Sequence, residues 1–313
     1  MGPPIAILGA ILTFLAFYIQ YRANVEQRRQ FVLSLEIQRT QFNTSMESQY
    51  QQFSVAFNNE VRTNQLERVE SRFFELLSLH KANVDEMRLS TNIEGRRCFQ
   101  SFYIEFEHIR FTLYNAQKEL EPTEFTDFKN NIDVNRMAYN IFFYGLGSKG
   151  EATYYKSFST EERKVFHKAQ PTFFSIHENF RHPAKNRAEY EYLPFTGHAN
   201  ILGHYFRHLY QTAKYVVENN LLNPNQKKEY IKTLRAQLSN YEQTMLYFNA
   251  IIWFPGQWYN LFINYKLIKN IPFNLASLVV SPAEKYQKEM QALWEAQKKH
   301  LFEDQRHMTK YSN

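Results

Sequence analysis

The chain contains 313 residues and carries a formal net charge of +6, from 37 lysines and arginines against 31 acidic residues. Aromatic residues make up 17% of the chain, which supplies enough apolar surface to exclude a mainly disordered protein. With only 9 glycines and 10 prolines, the composition argues against a turn-rich all-β fold and against a glycine-loop nucleotide binder. Because Cys98 is the single cysteine, an intramolecular disulfide and a cysteine-based zinc site are excluded.

The first 21 residues form an uncharged segment, and residues 5–19 are apolar except for Thr13 and Tyr18. A helix over residues 3–21 would be roughly 28 Å long, close to the hydrocarbon core of a bilayer at about 30 Å. Basic residues follow it, beginning with Arg22, and this asymmetry places the N-terminus outside and the rest in the cytoplasm. The segment therefore predicts a single transmembrane anchor over residues 1–22, with the lipid bilayer as a partner. The alternative is a buried first helix of the core.

Three copies of the pattern Gln-x-x-Gln-Phe follow at a spacing of eleven residues, and each phenylalanine has another apolar residue four positions later. Since eleven residues make about three helical turns, these side chains fall on one narrow stripe. This apolar stripe consists of Phe31, Leu35, Phe42, Met46, Phe53 and Phe57. It predicts a coiled-coil-like stalk helix over residues 23–72 that forms a homo-oligomer. The alternative is a stripe that packs on downstream helices of the same chain.

Residues 73–313 are predicted to form a helical bundle domain, which makes the whole protein all-α. No segment shows the strict alternation that is typical of an exposed strand. Ser159 with Glu162 fits a capping box, and Ser281 followed by Pro282 fits a helix start. Residues 181–196 are predicted to be a loop. The predicted helices cover residues 96–118, 124–146, 159–180, 198–219, 225–253 and 257–269, and a last helix begins after residue 281.

A weak catalytic candidate lies in the predicted helix over residues 198–219. His204 and His208 share one helix face, with Arg207 between them. A nuclease would use such histidines for acid–base chemistry and the arginine to stabilise phosphate charge. The spacing also suits a pair of metal ligands, but no third ligand accompanies it. Hydrogen-bonded structural histidines are the favoured alternative, and neither a metal nor a cofactor is predicted.

A row of polar residues runs beside the apolar face of the predicted helix over residues 225–253. Arg235, Glu242 and Asn249 are seven positions apart, and Ser239 lies between the first two. Because an unpaired buried charge is costly, each charged member is expected to have a partner, and a pair between Arg207 and Glu242 is the simplest expectation. The row is either a polar network that fixes helix register or the lining of a functional pocket.

Several common enzyme signatures are missing from the sequence, including the Walker loop, Gly-x-Ser-x-Gly and His-Glu-x-x-His. The positive charge is not concentrated in a basic run, so nucleic-acid binding is not predicted. The aromatic segment over residues 253–259 would be a partner surface if exposed, although we expect it to be core.

Several stretches together resemble the phage abortive infection (AbiC-like) family of bacterial membrane proteins. They are residues 72–77 with His80, 95–96, 205–210, 234–239, 241–242 with Asn249, and 265–270. The resemblance implies defence against bacteriophage, in which an infected cell stops growing or dies before progeny are released. It also implies a place in the bacterial inner membrane, and it brings no agreed catalytic residues. The motif positions are Arg207, His208, Arg235, Gln237, Ser239, Glu242 and Asn249.

Three functions remain open at this point. The first is a membrane-anchored sensor or effector that self-associates through its stalk and responds to a phage protein. The second is an enzyme similar to helical antiviral ribonucleases that uses His204, Arg207 and His208, although no Arg and His pair has the spacing usual in those enzymes. The third is a scaffold that recruits another defence protein.

Overall fold

The computed structural model describes residues 3–120, 132–181 and 190–305. In these ranges every regular element is a helix, apart from an isolated bridge between Arg88 and Glu94. The all-α prediction is therefore confirmed. The α-helices are α1 (Pro3–Asp85), α2 (Arg97–Leu120), α3 (Val134–Tyr144), α4 (Ser148–Tyr154), α5 (Thr160–Arg181), α6 (Ala199–Glu218), α7 (Pro224–Arg235), α8 (Asn240–Trp253), α9 (Tyr259–Ile263), α10 (Phe273–Ala276), α11 (Pro282–Lys285) and α12 (Gln287–Gln297).

The chain divides into two compact units, residues 1–68 (unit 1) and residues 69–313 (unit 2). The described part of unit 1 is made of α1 alone, and the last turns of α1 belong to unit 2.

The predicted transmembrane anchor is not supported by the described part of α1. Among the residues that the structure describes, no helix combines the length and the apolar character needed to cross a membrane.

The apolar stripe of unit 1 lies on the helix surface. Its six side chains are between 48% and 70% exposed. Phe53 and Phe57 stack with ring centroids 6.3 Å apart, as neighbours four positions apart on a helix do. The predicted helix is thus present, whereas its pairing with a second copy stays a prediction.

Helix α2 is central to unit 2, where it packs against α3, α5 and α8. Phe106 shows the contact, with its ring centroid 5.9 Å from that of Phe142 in α3 and 5.1 Å from that of Phe248 in α8. Burying each such side chain contributes about 1.5–3 kcal/mol. The buried face of α2 follows helical spacing and includes Phe99, Phe102, Phe106, Ile109 and Leu113.

Two glycines allow the segment before α6 to approach the end of α3. Gly145 and Gly197 have φ values of +84° and +87°, and a Cβ atom on either would come within 2.5 Å of backbone atoms of the other segment. No side chain fits at these positions. The backbone N–H of His198 can therefore donate to the carbonyl oxygen of Phe143 at 2.9 Å, which fixes the start of α6 beside α3.

The single helix predicted over residues 225–253 is wrong, because the chain forms α7 and α8 with a break between them. Ser239 begins α8: its Oγ accepts from the Glu242 N–H at 3.2 Å, and Glu242 Oε2 accepts from the Ser239 N–H at 2.7 Å. This capping box satisfies backbone donors at a new helix start. The break escaped prediction because Leu238 and Tyr241 continue the apolar spacing across it.

The predicted capping box of α5 is confirmed. Glu162 Oε2 accepts from the Ser159 N–H at 2.9 Å, and Ser159 Oγ accepts from the Glu162 N–H at 3.1 Å. The buried carboxylate of Glu162 also receives Nη2 of Arg136 from α3 at 2.7 Å. The Glu162 carboxylate therefore helps to cap the start of α5 and also binds α3.

The remaining predictions agree in part with the structure. Residues 124–131 of the predicted helix 124–146 and residues 182–189 of the predicted loop lie outside the described residues. The described parts form α3 and a non-helical segment at 190–198. Only residues 259–263 of the predicted helix 257–269 form α9, and Ser281 caps the short α11 before α12.

The aromatic segment at residues 253–259 is neither wholly core nor wholly exposed. Trp258 is buried, whereas Phe254 and Tyr259 are exposed. The expectation of a core segment therefore holds for Trp258 and fails for its two exposed neighbours.

Candidate functional site

Glu242 is the centre of a buried polar network in unit 2. Its side chain is fully buried in the first turn of α8. In addition to the Ser239 N–H, the carboxylate accepts a hydrogen bond from the Tyr205 hydroxyl at 3.2 Å. Arg96 Nε lies 3.7 Å away and supplies the opposite charge. Since a buried charge needs such partners, this network joins α6, α8 and the residue that precedes α2.

Arg96 reaches this network from the surface, with about half of its side chain exposed. Its Nη2 also donates to the backbone carbonyl of Gln237 at 2.6 Å, so Gln237 takes part through its main chain. The expected pair between Arg207 and Glu242 is not formed in the described part of the chain. Arg96 takes that place, and Arg207 instead lines a separate pocket.

Tyr205 is a fixed donor in this network. Burial raises the pKa of Tyr205 well above its ordinary value, and the adjacent Glu242 carboxylate raises that pKa further. The phenol therefore stays protonated, and its hydrogen bond to Glu242 persists across the physiological pH range.

His80, in the last turns of α1, lies against the same tyrosine. It is buried, and neither ring nitrogen has a hydrogen-bond partner among the described residues. Its ring centroid is 5.2 Å from that of Tyr205 and 6.2 Å from that of His208. Burial, followed by the charges of His208 and Arg96, lowers the pKa of His80 to about 4. The imidazole is therefore neutral near pH 7. The sequence hinted at His80 only through its place in the family-like stretch.

The three predicted catalytic residues do not converge on one position. His204 is exposed and lines a groove beside Asn83 and Glu86, whereas Arg207 lines a different pocket. His208 is half-buried, and its pKa is lowered by burial and then by His204. Within the described ranges no cluster of three potential metal ligands forms. This arrangement gives no support to a nuclease built on these residues.

A pocket of about 400 Å³ lies between the end of α3, α6 and the end of α8, and we call it the aromatic pocket. Two of the predicted site residues, Arg207 and Asn249, line it. Its aromatic lining consists of Phe143, Tyr144, Phe206, Tyr210, Trp253, Phe254 and Trp258.

The two polar residues of the aromatic pocket are held differently. Asn249 is buried, and its Nδ2 donates to the Tyr139 hydroxyl at 3.0 Å. Arg207 is exposed and has no ion pair or hydrogen bond with another described residue. A free guanidinium beside aromatic rings can bind anionic and planar groups, and the pocket volume is typical of a site for one side chain or small molecule.

The remaining members of the predicted polar row are dispersed by the break before α8. Arg235 donates through Nη1 to the backbone carbonyl of Lys266 at 2.8 Å, away from Glu242. Ser239 and Glu242 form the capping box, and Asn249 lines the aromatic pocket. The row is therefore three separate sets of contacts: the break places Arg235 on α7, whereas Glu242 and Asn249 lie at different positions along α8.

A second buried carboxylate, Glu105 of α2, was missed in the sequence. The Tyr192 hydroxyl donates to its Oε2 at 2.6 Å, and the Phe195 N–H donates to its Oε1 at 3.0 Å. His198 Nε2 lies 3.1 Å from Oε2, at the residue that precedes α6. The available signal was an acidic residue beside Phe102 and Phe106 on the apolar face of a predicted helix. These contacts hold the segment before α6 on α2.

These features define an all-helical protein in which the region from α6 to α10 carries Glu242 and most of the aromatic pocket. Residues 197–275 match the family described as "Putative phage abortive infection protein". This match confirms the family resemblance that the sequence predicted. No curated protein and no solved structure matches the chain.

Proposed function

We propose that the protein acts in abortive infection, with unit 1 assembling several copies and unit 2 responding to a phage protein. The observation that carries the proposal is the family match over residues 197–275, which includes Tyr205, Arg207, Glu242 and Asn249. The exposed apolar stripe supports the assembly step, and the aromatic pocket supports the recognition step.

Self-association follows from the cost of leaving the stripe in water. Burying a phenylalanine, leucine or methionine side chain contributes about 1.5–3 kcal/mol, and each chain presents six of them in one line. Their eleven-residue repeat matches helices that pair with a nearly straight or right-handed course. A second copy of α1 presents the same stripe and can cover it.

Replacing Phe31, Phe42 and Phe53 with serine tests the assembly step. We expect the purified triple variant to have a lower molar mass in sedimentation or light scattering, and cells that carry it to lose phage protection. If the variant keeps both the wild-type mass and the protection, assembly through the stripe is wrong.

A matched control is available on the other side of the same helix. Leu33, Ile37 and Val55 are also exposed, and at about 100° per residue they lie opposite the stripe. Their replacement with serine removes exposed apolar side chains without touching the stripe. The control triple variant should keep its mass and its protection.

Recognition through unit 2 rests on the aromatic pocket. Arg207, which has no partner in the described part of the chain, and the surrounding rings suit an acidic or aromatic side chain of a phage protein. A ligand bound in the pocket would contact α3, α6 and α8 together, because all three helices supply its lining.

The proposal also includes association of the protein with lipid. It is supported by apolar side chains between Ile7 and Ile19 that are all at least 46% exposed. Flotation of the full chain with liposomes tests it: a chain that stays at the bottom of the gradient contradicts lipid association and leaves the assembly step untouched.

A further inference from the structure

Basic side chains from three separate segments line one cleft of unit 2, with a volume of about 530 Å³. Helix α7, the segment after α9 and the segment after α12 each contribute. Because these segments are far apart in the sequence, no run of basic residues predicts that they lie next to one another in the fold. The basic cleft is formed by Lys228, Lys232, Arg235, Lys266, Lys269 and Lys299.

Carboxylates offset only part of this charge. Glu229 Oε2 lies 3.0 Å from Lys232 Nζ, and Glu303 Oε1 lies 3.7 Å from Lys269 Nζ. Six basic groups against these two acidic groups leave a local excess of four positive charges. The whole chain has a net charge of +6, so much of its surplus gathers here.

Lys266 is held in the cleft by an uncommon backbone conformation. Its φ of 57° lies in the left-handed region, which residues with a side chain rarely adopt. Its carbonyl oxygen accepts from Arg235 Nη1 at 2.8 Å, and its Nζ donates to the His300 carbonyl at 3.4 Å. Burial, followed by four neighbouring basic side chains of the cleft, lowers the pKa of Lys266. The fold thus holds like charges close together. Their electrostatic repulsion is unfavourable, and a bound anion would reduce it.

We propose that the basic cleft binds a small polyphosphate anion, such as the phosphate groups of a nucleoside triphosphate. Lysine ammonium groups bind phosphate as point charges, and the free guanidinium donors of Arg235 can add directed hydrogen bonds. The cleft is concave and has the volume of a small-ligand site, which suits a compact anion better than an extended nucleic-acid backbone. Tyr265 and Leu293 also line it and offer apolar surface to a base. This inference goes beyond the proposed function and does not depend on it.

Calorimetric titration of the full chain with inorganic tripolyphosphate, ATP and adenosine tests the proposal. We expect tripolyphosphate and ATP to bind, adenosine not to bind, and both affinities to fall as salt is raised. The double variant Lys228→Gln, Lys299→Gln should weaken both ligands by about tenfold, because it removes two exposed positive charges whose attraction to phosphate is screened by water. Both lysines are exposed and have no partner among the described residues, so the variant should fold.

The matched control is Lys149→Gln, Lys164→Gln, which removes the same charge from exposed lysines of α4 and α5. It should keep wild-type affinity, and circular dichroism checks that both double variants are folded. Failure of both phosphate ligands to bind, or equal weakening in both double variants, overturns the proposal. Binding of a short single-stranded oligonucleotide without binding of either small polyphosphate overturns it in favour of nucleic acid.

Discussion

The Tyr205 hydroxyl donates a hydrogen bond to Glu242, and the carboxylate that receives it also caps α8. Glu242 therefore serves two purposes within one family-matched region, since it starts one helix and joins that helix to α6. His80 and Arg96 approach the same pair from outside that region, which makes the network a meeting point of separate parts of unit 2.

Replacing Glu242 with alanine should destabilise unit 2 by about 2 kcal/mol or more, because it removes the Glu242 half of the α8 capping box and leaves the buried Tyr205 hydroxyl without an acceptor. Glu242→Gln keeps an amide oxygen that can accept one of these bonds, so its cost should be smaller, about 1 kcal/mol. Denaturant unfolding measures both, with Glu75→Ala as the control. Glu75 is an exposed carboxylate that pairs with Arg72, and its loss should cost less than about 1 kcal/mol. Equal midpoints for Glu242→Ala and Glu75→Ala would show that the network does not stabilise the fold.

Acid should destabilise the protein through His80. The pKa of His80 is about 4 in the folded chain against an ordinary value of 6.5. The unfolded state therefore binds the proton first, and stability is lost as the pH falls from about 6.5 to about 4. The full loss is on the order of 3 kcal/mol. In His80→Leu this part of the pH dependence should be absent when unfolding midpoints are measured across that interval.

The exposed His204 provides the comparison for this pH experiment. His204→Asn removes an exposed imidazole and leaves His80 in place, so the loss of stability assigned to His80 should remain in this variant. A residual slope in His80→Leu is expected from His208, whose pKa is also lowered. If His80→Leu and wild type have the same slope between pH 6.5 and pH 4, His80 is not the group that titrates.

Arg207→Gln should abolish phage protection without changing stability. Arg207 is exposed and has no described partner, so its replacement should alter the free energy of unfolding by less than about 0.5 kcal/mol. It removes the one cation among the described residues that line the aromatic pocket. Plaque counts measure protection, and thermal unfolding confirms that the variant is folded.

Lys214→Gln is the matched control for Arg207→Gln, since it removes an exposed positive charge from the same helix at a position outside the aromatic pocket. Full protection is expected for this variant. A folded Arg207→Gln protein that protects cells as well as Lys214→Gln does would remove the aromatic pocket from the proposed mechanism.

Helical spacing was enough to predict the fold class and most helices, but it could not place every boundary. The capping box at Ser159 was readable because Gly145, Gly147 and Gly150 end the predicted helix before it, whereas the same pattern at Ser239 lay within continuous apolar spacing. The local sequence therefore predicted a continuous helix at a position where the chain has a break. A contact between Glu242 and a residue distant in the sequence stabilises that break.

The candidate sites were less predictable than the fold, because their residues come from distant segments. Arg207 and Asn249, which the sequence analysis named for different reasons, both line the aromatic pocket, whereas the expected pair between Arg207 and Glu242 is not formed among the described residues. Arg96 could take that place because Gly95, with a φ of +59°, permits the turn that leads into α2. The basic cleft could not be read from the sequence either, since its charges meet only after folding.

Glu162 and Glu242 affect the folding of unit 2 in the same way. Each starts a helix and is bound by a neighbouring helix, Glu162 by Arg136 of α3 and Glu242 by Tyr205 of α6. Because a buried carboxylate without its partner is costly, each of these carboxylates can be buried only together with its neighbour. The packing of α5 is therefore tied to that of α3, and the packing of α8 to that of α6.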